Sequence, residues 1–140
     1  MNAPTPTWRD ERRIDIHAMP QRIWQLFVDV AGWPQWNAGI ERIELHGVFA
    51  GGSCLVIQPP GEDPFASRLL EVRENQGFTD ETVLHGTRLR VHHLIEPLDA
   101  RRTRVVFRTE VCGPFAADLG AAATEDFGEV LAALKQHAER

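Results

Sequence analysis

The sequence predicts an α+β fold: an antiparallel sheet of seven strands packed against one long C-terminal helix, with a short helix and a turn after the first strand. Three observations predict it. Apolar and charged residues alternate over residues 9–17, 88–98 and 103–112, the period-2 pattern of half-buried strands. Between these, short apolar runs are punctuated by Gly47, Gly51, Gly52, Pro59, Pro60, Gly61 and Gly77. From Phe115 to Arg140 the spacing becomes helical, with Leu119, Ala123, Phe127, Val130, Leu131 and Leu134 on one stripe.

Residues 1–8 read as a flexible tail and residues 9–140 as one domain, a length that buries roughly 68–70% of its unfolded surface. In the first strand Ile14 and Ile16 share one face, and Arg13, Asp15 and His17 the other. "AMPQRIWQLFVDV" then sets Ile23, Trp24, Phe27 and Val28 at helical spacing behind Pro20, which suits a first-turn position. "GWPQWNAGI" (32–40) follows as a turn that holds two of the four tryptophans; Pro34 biases Trp33 out of the α region. Four short strands come next: 41–45, 53–58, 66–72 and 78–83.

The last two strands are the clearest. In "RLRVHHLIEPL" Leu89, Val91, His93 and Ile95 share the inner face; in "TRVVFRTEVC" the inner set is Thr103, Val105, Phe107, Thr109 and Val111. A three-residue loop at Asp99–Arg101 makes paired residue numbers sum to 200. That register sets His93 opposite Phe107 and Val91 opposite Thr109, with Glu96 beside Arg104 and Arg90 beside Glu110 as favourable charge pairs. On the terminal helix a row of small residues, Ala116, Gly120, Thr124, Gly128 and Ala132, recurs at every fourth position. A helix glycine costs about 1 kcal/mol relative to alanine, so the row serves either close contact with the sheet or room for a cavity. Strand, short helix, turn, six strands and long helix together make a helix-grip layout.

Composition narrows the function. Twenty acidic against fifteen basic residues give a net charge of −5, which offers no general attraction to phosphate and argues against a nucleic-acid partner. The arginines at 88, 90, 101, 102, 104 and 108 read as a solvated outer sheet face. No window approaches 18 apolar residues, and "MNAPTPTW" lacks the basic-then-apolar pattern of a secretory signal, so a cytoplasmic protein without integral membrane association is expected. Cys54 and Cys112 lack metal-ligand spacing and read as reduced thiols. There is no Gly-rich phosphate loop, HExxH, CxxC or GxSxG, and no tyrosine; neither metal nor cofactor is expected.

"IDIHAMPQRIWQLFVDVAGWPQWNAGI" resembles the entry motif of the polyketide cyclase/dehydrase and lipid-transport group, within the START-like (Bet v 1-like, SRPBCC) superfamily. "GVFAGGSCLVIQPPG" is similar to its second-to-third strand connection, and "VHHLIEPL" with "TRVVFRTEVCGPF" to its last hairpin and the turn into the final helix. The resemblance spans nearly the whole chain. It implies a seven-stranded antiparallel sheet gripping the helix, two short helices between strands 1 and 2, and an apolar cavity that the Trp element closes at one end. The superfamily holds carriers, cyclases and sensors, so the motif marks membership more than activity.

Within that frame the expected ligand is a hydrophobic small molecule, lipid-like, polyketide-like or aromatic, in a cavity of roughly 300–1,000 Å³. Its expected lining is Trp36, Leu55, Ile57, Leu70, Phe78, His93, Ile95, Phe107, Thr109, Leu119, Ala123 and Phe127. His93 interrupts an apolar face, where burial keeps an imidazole neutral. It reads as a core histidine bonded to backbone or Thr109, as a ligand contact, or as the acid/base of a cyclase or dehydratase. Trp33 reads as a structural pin. Arg68 points inward if Leu70 and Val72 do, unless a bulge intervenes near Pro64. A homodimer is left open.

Overall fold

The computed structural model of the chain describes residues 7–140. Its elements are β1 (Trp8–Ile16), α1 (Pro20–Val28), a 3₁₀ helix (Val30–Gln35), β2 (Arg42–His46), β3 (Cys54–Gln58), β4 (Phe65–Arg73), β5 (Gly77–Leu84), β6 (Thr87–Pro97), β7 (Thr103–Cys112), α2 (Ala116–Thr124) and α3 (Phe127–Ala138). The strands form one antiparallel sheet in the order β1-β7-β6-β5-β4-β3-β2, so a meander from β2 to β7 is completed by β1 returning to its far edge. This is the helix-grip fold expected. Trp8, read as part of the tail, opens β1; residues 1–6 lie outside the described residues.

The β6–β7 register sums to 200 at every pair from Arg88 and Cys112 to Pro97 and Thr103. The loop is closed by the Leu98 N–H donating to Arg102 O, and Asp99 Oδ1 accepts from the amides of Arg101 and Arg102. The charge pairs differ from expectation. A central strand has two neighbours, and Arg104 Nε donates to Asp15 of β1 at 2.8 Å while Arg90 Nε donates to Glu81 of β5 at 2.7 Å.

One irregularity changes the face that β4 presents. The pairing with β5 shifts between Leu69 and Glu71, leaving Leu70 as a bulge. Before it Ser67 and Leu69 are buried; after it Val72 packs on the core. Leu70 itself is half-buried and stands outside the core cluster, so Leu69 takes the place expected of it. The same bulge leaves Arg68 exposed on the outer face, paired with Cys54.

The core lies between the sheet, α1, the 3₁₀ helix and α3, with Ile16, Ile23, Phe27, Leu55, Leu69, Val105, Leu131 and Leu134 fully buried. Each such side chain contributes about 1.5–3 kcal/mol through burial. The terminal helix is interrupted at Glu125 and Asp126 rather than continuous. Thr124 Oγ1 donates back to Gly120 O at 2.9 Å, a bond that bends helices just where α2 ends. No helix among the described residues is long and apolar enough to cross a membrane.

Of the two explanations for the small-residue row only close contact is seen, at Gly120; Gly128 and Ala132 face solvent. A Cβ on Gly120 would overlap the Trp8 indole, so this glycine serves close contact, whereas a Cβ on Gly128 meets nothing within 4 Å. Gly120→Ala is therefore expected to destabilise by about 1–3 kcal/mol through overpacking. Gly128→Ala should stabilise by about 0.5–1 kcal/mol through helix propensity alone. Urea denaturation of the two variants checks both signs; equal effects would remove the contact argument.

Candidate functional site

Three rows of side chains cross the concave face from β5 to β1, because directly paired residues share a face of the sheet. Phe78, His93, Phe107 and Arg12 form one; Asp80, Val91, Thr109 and Asp10 the next; Thr82, Leu89, Val111 and Trp8 the third. α2 lies over β7, β1 and β6, above these rows.

The first row is mostly aromatic. His93 stacks on Phe78, with centroids 4.0 Å apart and planes 11° apart, and meets the edge of Phe107 at 4.7 Å and Phe27 at 6.2 Å. Its Nδ1 lies 3.3 Å from Phe78 O. A carbonyl only accepts, so Nδ1 carries the proton and Nε2 keeps a free lone pair. Of the expected partners the backbone is the one used; Thr109 is not bonded to it. Burial pushes the imidazole down to about 3, so His93 is neutral at ordinary pH.

The second row carries unspent polarity. Asp80 Oδ1, Thr109 Oγ1 and Asp10 Oδ2 are all buried with no hydrogen-bond partner among the described residues, and Thr109 is fully buried. Ser67 Oγ lies 2.9 Å from Asp80 Oδ2 and 3.2 Å from Glu81 O. Asp80 Oδ1 lies 4.0 Å from His93 Nδ1, and burial pushes the Asp80 carboxyl up to about 6. Arg12 Nε sits 3.2 Å from Asp10 Oδ2, an ion pair too poorly aligned for a hydrogen bond to that oxygen. The site is not sealed: the side chains of Asp80 and His93 keep 15% and 14% of their surface exposed.

Sequence reasoning placed Phe78, His93, Phe107 and Thr109 here and missed Asp80, Asp10 and Arg12. The signal was present: the alternation that put Ile14 and Ile16 inward also puts Arg12, Asp10 and Trp8 inward, and Phe78 brings Asp80 with it. The other expected lining residues scatter. Leu55, Ile57 and Ile95 are buried in the core, and Phe127 packs edge-on against Phe107 at 5.3 Å. Trp36 is buried against Phe27 and Trp33. Ala123 is half-buried on α2. Leu119 lines a cleft of about 280 Å³ with His85, Phe115 and Asp118, at the turn end of the β5–β6 hairpin. A second recess of about 200 Å³ lies on the outer face around Thr79 and His92. Neither of these two recesses is the oily cavity expected between sheet and helix.

Trp33 is the structural pin anticipated. Its Nε1 donates to Phe27 O at 2.9 Å and its ring stacks on Phe78 at 5.6 Å. Thr103 is likewise occupied, donating to Ala18 O at 2.7 Å. Cys54, neighbouring the inward Leu55, belongs to the opposite face, and both cysteines are free. Among the described residues no three His, Cys, Asp or Glu side chains are grouped to hold a metal ion.

Residues 7–139 match the family described as polyketide cyclase / dehydrase and lipid transport. Among solved structures, the ZhuI aromatase/cyclase from Streptomyces sp. R1128 superposes with a TM-score of 0.79 at 18% identity, covering 95% of this chain and 94% of that one. Norcoclaurine synthase from Thalictrum flavum gives a TM-score of 0.72 at 14% identity, covering 92% and 84%. Protein MLL2253 from Mesorhizobium loti gives 0.78 at 14% identity, covering 93% and 96%. These likenesses establish the shared fold. No curated protein matches the chain.

Asp80 and His93 pull stability in opposite directions with pH. Asp80 binds its proton more tightly folded than unfolded, so its contribution is complete below its ordinary value of 3.8 and is lost as pH rises through about 6. His93 binds its proton less tightly when folded, so its contribution grows from about pH 3 and is complete above 6.5. Relative to the native protein, Asp80→Asn is expected to gain up to about 2–3 kcal/mol between pH 4 and 7. Denaturant titrations across that range measure it; a pH-independent difference removes the assignment.

Proposed function

Because the chain belongs to the polyketide cyclase/dehydrase and lipid-transport family, we propose that it binds a hydrophobic aromatic or polyketide-like small molecule against the concave face, beneath α2. The observation that carries this is the row of three buried oxygens without hydrogen-bond partners, of which Asp80 Oδ1 and Thr109 Oγ1 also lack an ion pair with a cation, beside an aromatic wall. Each such group costs about 1–3 kcal/mol when left unpaired, a cost that a bound ligand with matching polar groups offsets. The aromatic rings of Phe78, His93 and Phe107 supply flat apolar contact next to that row.

A second reading, a cyclase- or dehydratase-type enzyme, is supported by the pairing of Asp80 with His93. Proton transfer is most effective from a group whose proton affinity lies near the working pH. His93, held near 3, is too weak a base for that task; Asp80, held near 6, suits it. In this reading Asp80 exchanges the proton, Ser67 steadies its other oxygen, and the free Nε2 of His93 accepts a hydrogen bond that orients the substrate.

Quenching of tryptophan fluorescence by 2-naphthol tests the binding. Saturable binding is expected, weakened at least tenfold by Val91→Trp, which fills the floor of the polar row; binding that ignores this substitution places the ligand elsewhere. For the enzyme reading, turnover of a poly-β-ketone substrate should rise with a midpoint near pH 6 and vanish in Asp80→Asn, while His93→Gln keeps part of it. Full activity in Asp80→Asn rejects the assignment.

A further inference from the structure

We infer that the ligand presents hydrogen-bond donors to the concave row, as a phenol or an aromatic amine does, and not a carboxylate, as a fatty acid does. This rests on the reading that the ligand lies on that face. The argument is an inventory of which donors and acceptors remain unspent.

Nearly every donor around the site is already used. The Ser67 hydroxyl is taken by Asp80 Oδ2 or Glu81 O, and Thr124 Oγ1 donates to Gly120 O. His93 Nδ1 faces Phe78 O, and Trp33 Nε1 donates to Phe27 O. Arg12 turns its Nε to Asp10, and its side chain is 40% exposed at the β1 end of the rows. What remains over the row is acceptor capacity: Asp80 Oδ1, the lone pair of His93 Nε2, the two-way hydroxyl of Thr109, and Asp10 Oδ2, which has an ion pair with Arg12 but no hydrogen bond. The Asp80 carboxylate repels another, so an acid-headed ligand finds a partner only at the outer end, on an Arg12 guanidinium already shared with Asp10. A donor-bearing ring finds partners along the whole row.

The spacing sets a size. Asp80 and Thr109 are two strands apart, roughly 10 Å at ordinary strand separation, with Val91 between them. A one- or two-ring aromatic with donors at opposite ends bridges that gap and lies beside the Phe78, His93 and Phe107 rings.

Calorimetric titration of the whole chain at pH 7.5 with 2,6-dihydroxynaphthalene, 2-naphthoate and naphthalene tests the inference. The diol is expected to bind at least tenfold more tightly than the carboxylate. Thr109→Val should weaken the diol at least fivefold, leave naphthalene within twofold, and raise the melting temperature of the free protein by about 3 °C, since it removes an unpartnered buried hydroxyl. Thr109→Ser, which keeps the hydroxyl, should restore diol binding. If 2-naphthoate binds as tightly as the diol, or if Thr109→Val leaves diol affinity unchanged, the donor rule falls while binding on the concave face stands. If none of the three probes binds, the reading beneath it falls as well.

Discussion

Every side chain on the concave face takes its direction from one phase of strand alternation, held without interruption from β5 through β6 and β7 to β1. A slip of one residue anywhere in that run would exchange the two faces, sending Asp80, Thr109 and Asp10 to solvent and bringing arginines inward. The phase is protected in the middle of the run and at its β5 border. The Asp99–Arg101 loop fixes β6 against β7, and the bulge at Leu70 absorbs the mismatch with β4 before it reaches β5. The polar row is thus a consequence of register, and register is set by hydrophobic faces that lie mostly outside the row.

The two halves of the concave face are treated differently. Beneath α1, the 3₁₀ helix and α3 it is filled by large apolar side chains, and the two tryptophans of the turn lock that filling in place. Trp33 does so with a buried hydrogen bond to the end of α1, which joins the breaker-rich segment to the same aromatic stack that holds His93. Beneath α2 the packing is made by small residues, with Gly120 against the Trp8 indole. The helix break after Thr124 separates the half filled by large apolar side chains from the half that carries the oxygens without hydrogen bonds.

Much of this was legible in the residues. The β6–β7 register followed from three agreeing signals in one hairpin, and the pin role of Trp33 from its place among chain breakers. The salt bridges were not legible, because a single hairpin says nothing about the strands that flank it: Asp15 and Glu81 reach Arg104 and Arg90 from outside the pair. Leu70 was misplaced because a bulge leaves no mark in an apolar dipeptide such as Leu69–Leu70, where either residue can face inward. Asp10, Arg12 and Asp80 were missed for a different reason. A charged residue in an alternating strand is assigned to water by default, and that default fails where a helix covers the face on which it stands.

That failure is informative. A fold selected for stability alone would place valine at 109 and an apolar residue at 80, as the neighbouring Val91 and Val111 show the site accepts. Asp80 instead sits where burial disfavours its charge, with only Ser67 bonded to it, and Thr109 carries a hydroxyl that bonds to nothing. Asp80 ties β5 to β4 through Ser67 with one oxygen only, and Thr109 Oγ1 links no elements. Their cost is therefore not offset within the protein. The proposed ligand would complete the row, joining the acid–base character of Asp80 and the neutral His93 beside it to the polar strip beneath α2.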